Sequence, residues 1–164
     1  MEALPPNFKP QLRKSVRWNA SRILPELLED FLSHHDTVLD ARGGVAELHL
    51  LRIAGKPLRY AMEAFKPIYG KKFKRSLKKV EQVIDLMGKV HDCDVVIGEL
   101  DRFEKQLRKL NRSPKTRKQR YTTSVIGRII RDESTKREKL FLEFATLIRR
   151  MNREKFHRQV LDTL

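Results

Sequence analysis

Four side chains that carry or can accept positive charge, His49, Arg52, Lys56 and Arg59, recur at i, i+3, i+7 and i+10 within ELHLLRIAGKPLRYAMEAFKPIYG, residues 47 to 70. On an α-helix this spacing gathers them into an arc of about 80° and a row about 15 Å long. Arginine's planar fork can hold two phosphate oxygens at once, and lysine adds a compact charge on a flexible stem. Histidine donates one hydrogen bond when neutral and two when protonated. Such a row suits an anion with charge repeated along its length. Surface cations usually pair with acids four residues away. The stripe is read as lacking them, with Glu47 before it and Glu63 after it.

A second basic segment follows. Residues 66 to 79, KPIYGKKFKRSLKK, hold seven lysines or arginines and no acid, and Lys71, Lys74 and Lys78 repeat at i, i+3 and i+7. Further on, Arg137 stands four residues after Glu133 on the same arc as Ile126, Ile130, Leu140 and Phe144. It is expected either to pair with Glu133 or, as preferred here, to reach the cationic surface from beside the core. Arg13 and Arg17 are further candidates. Pairing of Arg52 and Arg59 with Asp92 and Asp94 of GKVHDCDV is the competing structural reading. It absorbs only part of the basic surplus.

Composition points the same way. Thirty-six Lys and Arg against 21 Asp and Glu leave a formal charge of +15 over 164 residues, which favours anionic partners: nucleic acid, phosphate polymers or an acidic membrane face. Nucleic-acid binding is the first alternative, but single-strand readers interleave aromatic platforms with their basic residues. Only Tyr60, Tyr69 and Phe73 lie near the stripes. The second alternative is a metal-dependent phosphohydrolase using the His91-Asp92 doublet, with His49 and Asp132 at workable separations. A metal needs several converging ligands, and a basic stripe repels a cation. His34-His35-Asp36 lies in a connector, where capping or solvation is its expected use. No catalytic residue, metal or cofactor is therefore expected. Cys93, the one cysteine, has no intramolecular disulfide partner and is read as a small semi-buried side chain. No uncharged run is long enough to span a bilayer, and the opening residues MEALPPNFKPQLRK contain no apolar run. A cytoplasmic protein without a membrane partner is expected.

The elements that must position these groups are helical. Val16, Ala20, Ile23, Leu27 and Phe31 mark one face of a first helix ending near His34; Pro25 is expected to kink it or to mark its start. HHDTVLDARGG reads as a connector. Leu48, Leu51, Leu58, Met62 and Phe65 form the apolar face of the second helix. Phe73, Leu77, Val80, Ile84 and Met87 do so for a third, over about residues 72 to 110. Ile126, Ile129, Ile130, Leu140, Phe144, Leu147 and Met151 mark a fourth that continues towards the C-terminus. The expectation is an all-α, antiparallel up-and-down four-helix bundle with long helices. Residues 1 to 10 are expected to form a flexible proline-containing arm, residues 11 to 164 a single domain, and residues 111 to 124 a basic loop.

The pattern His-x-x-Arg-x-x-x-Lys-x-x-Arg-Tyr, followed some thirty residues on by Gly-x-x-x-Asp-x-Asp-Val, resembles the CHAD family of α-helical domains with a conserved histidine. It spans about residues 45 to 100. The resemblance implies a four-helix bundle whose basic surface binds inorganic polyphosphate, without a known catalytic set. It places phosphate contacts on His49, Arg52, Lys56 and Arg59, and an arginine-orienting, structural part on Asp92 and Asp94. The chain departs from the family at Pro57, where another basic residue is usual. The residue before proline avoids helical angles, so a kink in the stripe is expected there. The family also tends to carry two bundles in tandem, whereas this chain has one copy of the motif, which implies a homodimer.

Overall fold

A computed structural model describes residues 11–112 and 121–164, the side chain of Arg153 apart. The expected N-terminal arm and most of the expected basic loop lie outside the described residues. Among those described, the chain is helices joined by short turns, with no strand: α1 Val16–Ser33, α2 His35–Asp40, α3 Val45–Phe65, a 3-10 turn Lys66–Ile68, α4 Lys71–Arg112, α5 Ser124–Arg153 and α6 Phe156–Leu161.

Helix α1 starts where Ser15 caps it, its hydroxyl accepting the Trp18 N–H at 3.1 Å. Such a cap satisfies one of the donors orphaned at a helix start. The helix is continuous through Pro25, so Pro25 does not mark its start. Helix α3 likewise runs unbroken through Gly55-Lys56-Pro57, and its cationic residues stay on one helix. Gly55 lets α1 and α4 approach α3 closely at this crossing. A Cβ there would lie 3.2 Å from the Phe31 ring of α1 and 3.3 Å from Ile84 of α4.

Helix α1 packs on α3, α3 on α4, and α4 on α5. Phe31, Leu51, Leu58, Met62, Phe73, Val80, Met87, Phe144 and Ile148 are buried in a single apolar cluster. The helical periodicity locates most of it, with exceptions at two ends. Val16 and Ile129 are exposed.

Two segments differ from the expected four helices. Within the connector, α2 forms because His35 and Val38 turn into the core. The last helix stops at Arg153 because Lys155 adopts a left-handed φ of 50°. The chain then turns, and α6 buries Phe156 and Val160. Lys79 of α4 holds this turn by donating to Glu154, and Arg150 donates to the same carboxylate at 2.8 Å. Together, Lys79 first, they hold the Glu154 carboxyl down to about 2.

Candidate functional site

Between α3 and α4 runs an open groove of about 380 Å³. Arg52, Lys56, Arg59 and Tyr60 of α3 line one wall; Ile84, Asp85, Gly88, Lys89 and Asp92 of α4 line the other. Three of the four stripe residues are thus brought together, each half-buried. Their stems cover apolar surface while their charged ends reach water. His49 is exposed and lies outside the lining.

The three cations are not equivalent. Arg59 donates Nε to Glu63 Oε1 at 2.8 Å, and its Nη1 lies 3.6 Å from Asp85 Oδ1. The Glu63 hydrogen bond holds this guanidinium charged to above its ordinary range, against the opposing effect of burial. The stripe therefore does have an acid four residues along at this position, and Arg59 is an internally paired residue. Arg52 differs: among the described residues no hydrogen bond or ion pair engages it. Nor does it pair with Asp92 or Asp94, the partners that the structural reading offered.

Arg137 requires the larger correction. Its Nε donates to Asp94 Oδ1 at 2.5 Å and its Nη2 donates to the Gly43 carbonyl. Both charged partners are largely buried, at 19% and 15% exposure, so Arg137 ties α5 to α4 and to the turn before α3 instead of reaching the groove. Nor does it pair with Glu133, which accepts from Lys136. Asp94 orients an arginine, but one of α5.

The lysine run at the start of α4 divides between two faces. At about 100° per residue, Lys71, Lys74 and Lys78 share an arc of α4 with Asp85, Lys89 and Asp92, and all three are exposed. They extend the groove's α4 wall towards the end of α3. Lys72, Arg75 and Lys79 instead line a separate cleft against Gln159, Asp162 and Thr163 at the chain's end.

The His91-Asp92 doublet is split by its helix. Asp92 faces the groove, whereas His91 lines a different hollow with Val45, Asp94, Val95 and Gly98. Adjacent residues on a helix point about 100° apart, so a bare doublet does not converge. Among the described residues no group of three or more His, Cys, Asp or Glu side chains comes together to hold a metal. Cys93 is fully buried, and burial pushes its thiol up from the ordinary value. His35 is buried as well, its Nδ1 3.1 Å from Asn152 Oδ1 and its ring edge-on to Phe31. Burial pushes its pKa down, against the raising effect of the Asn152 contact. It belongs to the core.

Two charged groove residues escaped the sequence reading. Asp85 and Lys89 enter only through the register of α3 on α4, which periodicity does not supply. Tyr60, which ends the His-x-x-Arg-x-x-x-Lys-x-x-Arg-Tyr pattern, lines the groove while 46% exposed. No helix of the described residues is long and apolar enough to cross a membrane.

A family model, CHAD domain, covers residues 1–101, which includes α1 to α3 and the groove-lining part of α4. No curated protein and no solved structure matches the chain.

Proposed function

The chain belongs to the CHAD domain family, and on that premise we propose that it binds inorganic polyphosphate non-catalytically along the α3/α4 groove. The observation that carries this reading is Arg52. It is a half-buried guanidinium in an open groove, without a carboxylate partner among the described residues, and beyond Arg59 and Asp85 the exposed Lys71, Lys74 and Lys78 follow on the same arc of α4. Lys56 and Lys89 add charge beside it. His49, one turn before Arg52 on α3 and exposed outside the lining, contributes a hydrogen bond to a polymer that runs past it. Arg59 is a shared group: it faces the groove while Glu63 and Asp85 hold it in place.

A phosphate polymer has no base to read, so recognition rests on charge spacing alone. The order in which α1, α3, α4 and α5 pack fits an up-and-down bundle, in which α3 and α4 stand side by side and their rows run together. No step in this reading calls for a nucleophile or a metal. Binding is expected to weaken steeply with ionic strength, as counterion release requires.

The experiment is a competition at fixed salt between long-chain polyphosphate and single-stranded RNA of equal total charge. Displacement of RNA by polyphosphate supports the reading. Preference for RNA favours nucleic acid, with Tyr60 as a stacking platform.

A further inference from the structure

Ser76 of α4 is only 5% exposed, yet among the described residues its hydroxyl has no hydrogen-bond partner. A helical hydroxyl without another partner ordinarily turns back onto a carbonyl of the preceding turn. Ser21, Ser33, Ser134, Thr135 and Thr146 of this chain all do so, at 2.7 to 3.0 Å. Nor is the Ser76 oxygen sealed off, as the Tyr69 hydroxyl and His35 Nε2 are. It opens into the cleft of about 380 Å³ between α4 and the chain's end.

Cations of α4 surround it there. Lys79 is already engaged, donating to Glu154 and lying 3.4 Å from Gln159 Oε1. Lys72 and Arg75 are not: among the described residues no hydrogen bond or ion pair holds either one. The first turn of α4 also carries no acid, so both charges sit unrelieved near the positive end of a long helix. A hydroxyl able to donate, beside a guanidinium and an ammonium with no counter-ion, is a donor set for the oxygens of one phosphate.

The opposite wall decides what that phosphate is attached to. Gln159 donates its Nε2 to the Glu154 carbonyl at 2.7 Å, and the Thr163 hydroxyl donates to the Val160 carbonyl at 2.6 Å. Asp162 presents a carboxylate that nothing among the described residues engages. It repels a bare polyanion. A ligand with hydroxyls on a neutral body donates to it instead. The cleft is at the small end of ligand pockets, a size for a single sugar phosphate and not for a polymer.

We propose that this cleft binds a small phosphate monoester of a hydroxylated body, a sugar phosphate or nucleoside monophosphate in class. Lys72, Arg75 and the Ser76 hydroxyl hold the phosphate, and Asp162 accepts from a ligand hydroxyl. The site goes beyond polyphosphate binding and does not depend on it, since the cleft and the α3/α4 groove share no lining residue.

The test is calorimetric titration of the full chain with ribose 5-phosphate, inorganic phosphate and ribose. The variants are Arg75→Ala, Ser76→Ala and Asp162→Ala, with Arg52→Ala as the groove control. Ser76→Ala breaks no internal hydrogen bond and installs the best helix former; Arg75 and Asp162 are exposed, and circular dichroism checks that each variant folds. The wild type is expected to bind ribose 5-phosphate at one site, several-fold more tightly than inorganic phosphate, and not to bind ribose. Arg75→Ala is expected to weaken the ester about tenfold and Ser76→Ala about fivefold, the effects of one charged and one neutral hydrogen bond. Asp162→Ala is expected to abolish the preference over inorganic phosphate, and Arg52→Ala to match the wild type. Absence of ester binding, full affinity in Ser76→Ala, or a loss in Arg52→Ala equal to that in Arg75→Ala overturns the site; a preference that survives in Asp162→Ala overturns the part given to that carboxylate. A polyphosphate isotherm separates this inference from the groove reading. Ester binding without polyphosphate binding overturns the groove alone, and polyphosphate binding without ester binding overturns the cleft alone.

Discussion

Arg137 and Asp94 form an ion pair across α4 and α5, Nε to Oδ1 at 2.5 Å, with the same guanidinium donating to the Gly43 carbonyl. One side chain thus fastens three parts of the chain behind the groove. Gly43 itself sits at a φ of +71° against the Phe141 ring, where a Cβ would come within 2.4 Å of ring carbons.

Arg137→Ala leaves Asp94, only 15% exposed, without its counter-charge. Removing one partner of a fully buried pair costs about 3–5 kcal/mol; partial exposure here reduces the expected loss to roughly 1–3 kcal/mol. Urea denaturation is expected to show that loss, while polyphosphate affinity measured on the folded variant changes less than about twofold, since the group never faces the groove. A large loss of affinity without loss of stability would return Arg137 to the binding surface.

Arg59→Ala and Arg52→Ala are expected to separate. Arg59 already neutralises Glu63 and Asp85, so its removal exposes two carboxylates to the polymer and disturbs the α3/α4 contact. Stability falls together with binding. Arg52 has no such internal role, and its removal is expected to cost binding about tenfold, the equivalent of one charge-assisted contact, with no change in thermal midpoint. Calorimetric melting of both variants beside their isotherms checks the contrast; equal loss of stability in the two would make both arginines structural.

Two groups set two separate pH windows for stability. His35 has an ordinary value of 6.5, lowered in the folded chain by burial. Below about pH 6.5 the unfolded chain therefore binds a proton that the folded chain does not, and stability falls as pH drops through that window. Glu154 is shifted in the same direction by ion pairing instead of burial: its carboxyl is held at about 2 by Lys79 and then Arg150, against 4.5 ordinarily. Its contribution is complete above pH 4.5 and is lost as pH falls towards 2. Urea midpoints across pH 7.5 to 5 are expected to slope downward for the wild type and to flatten in His35→Gln. Identical slopes in both would show that His35 titrates normally.

How much of this was legible depended on how far apart the partners lie in the chain. Arg52, Lys56 and Arg59 belong to one helix, so spacing alone placed them on one face. Glu63 is four residues from Arg59, and the pair follows from counting. By contrast, Asp85 meets Arg59, and Asp94 meets Arg137, only through helix packing; nothing local distinguishes Arg137 from a surface arginine. The two short helices were hidden for a different reason. Each has six residues, less than two turns, too few for a periodic signal. Each forms because tertiary burial of His35 and Val38, or of Phe156 and Val160, overrides weak local preference.

The most direct measurement is a pair of polyphosphate isotherms, wild type and Arg52→Ala/Lys78→Ala, each at low and at high salt. If the groove and the lysine row hold the polymer, the wild type binds at low salt and weakens steeply as salt rises, and the double variant binds at least tenfold more weakly with a shallower salt dependence. Equal affinity and equal salt dependence in the two proteins would contradict it, because the polymer would then be bound somewhere that neither residue touches.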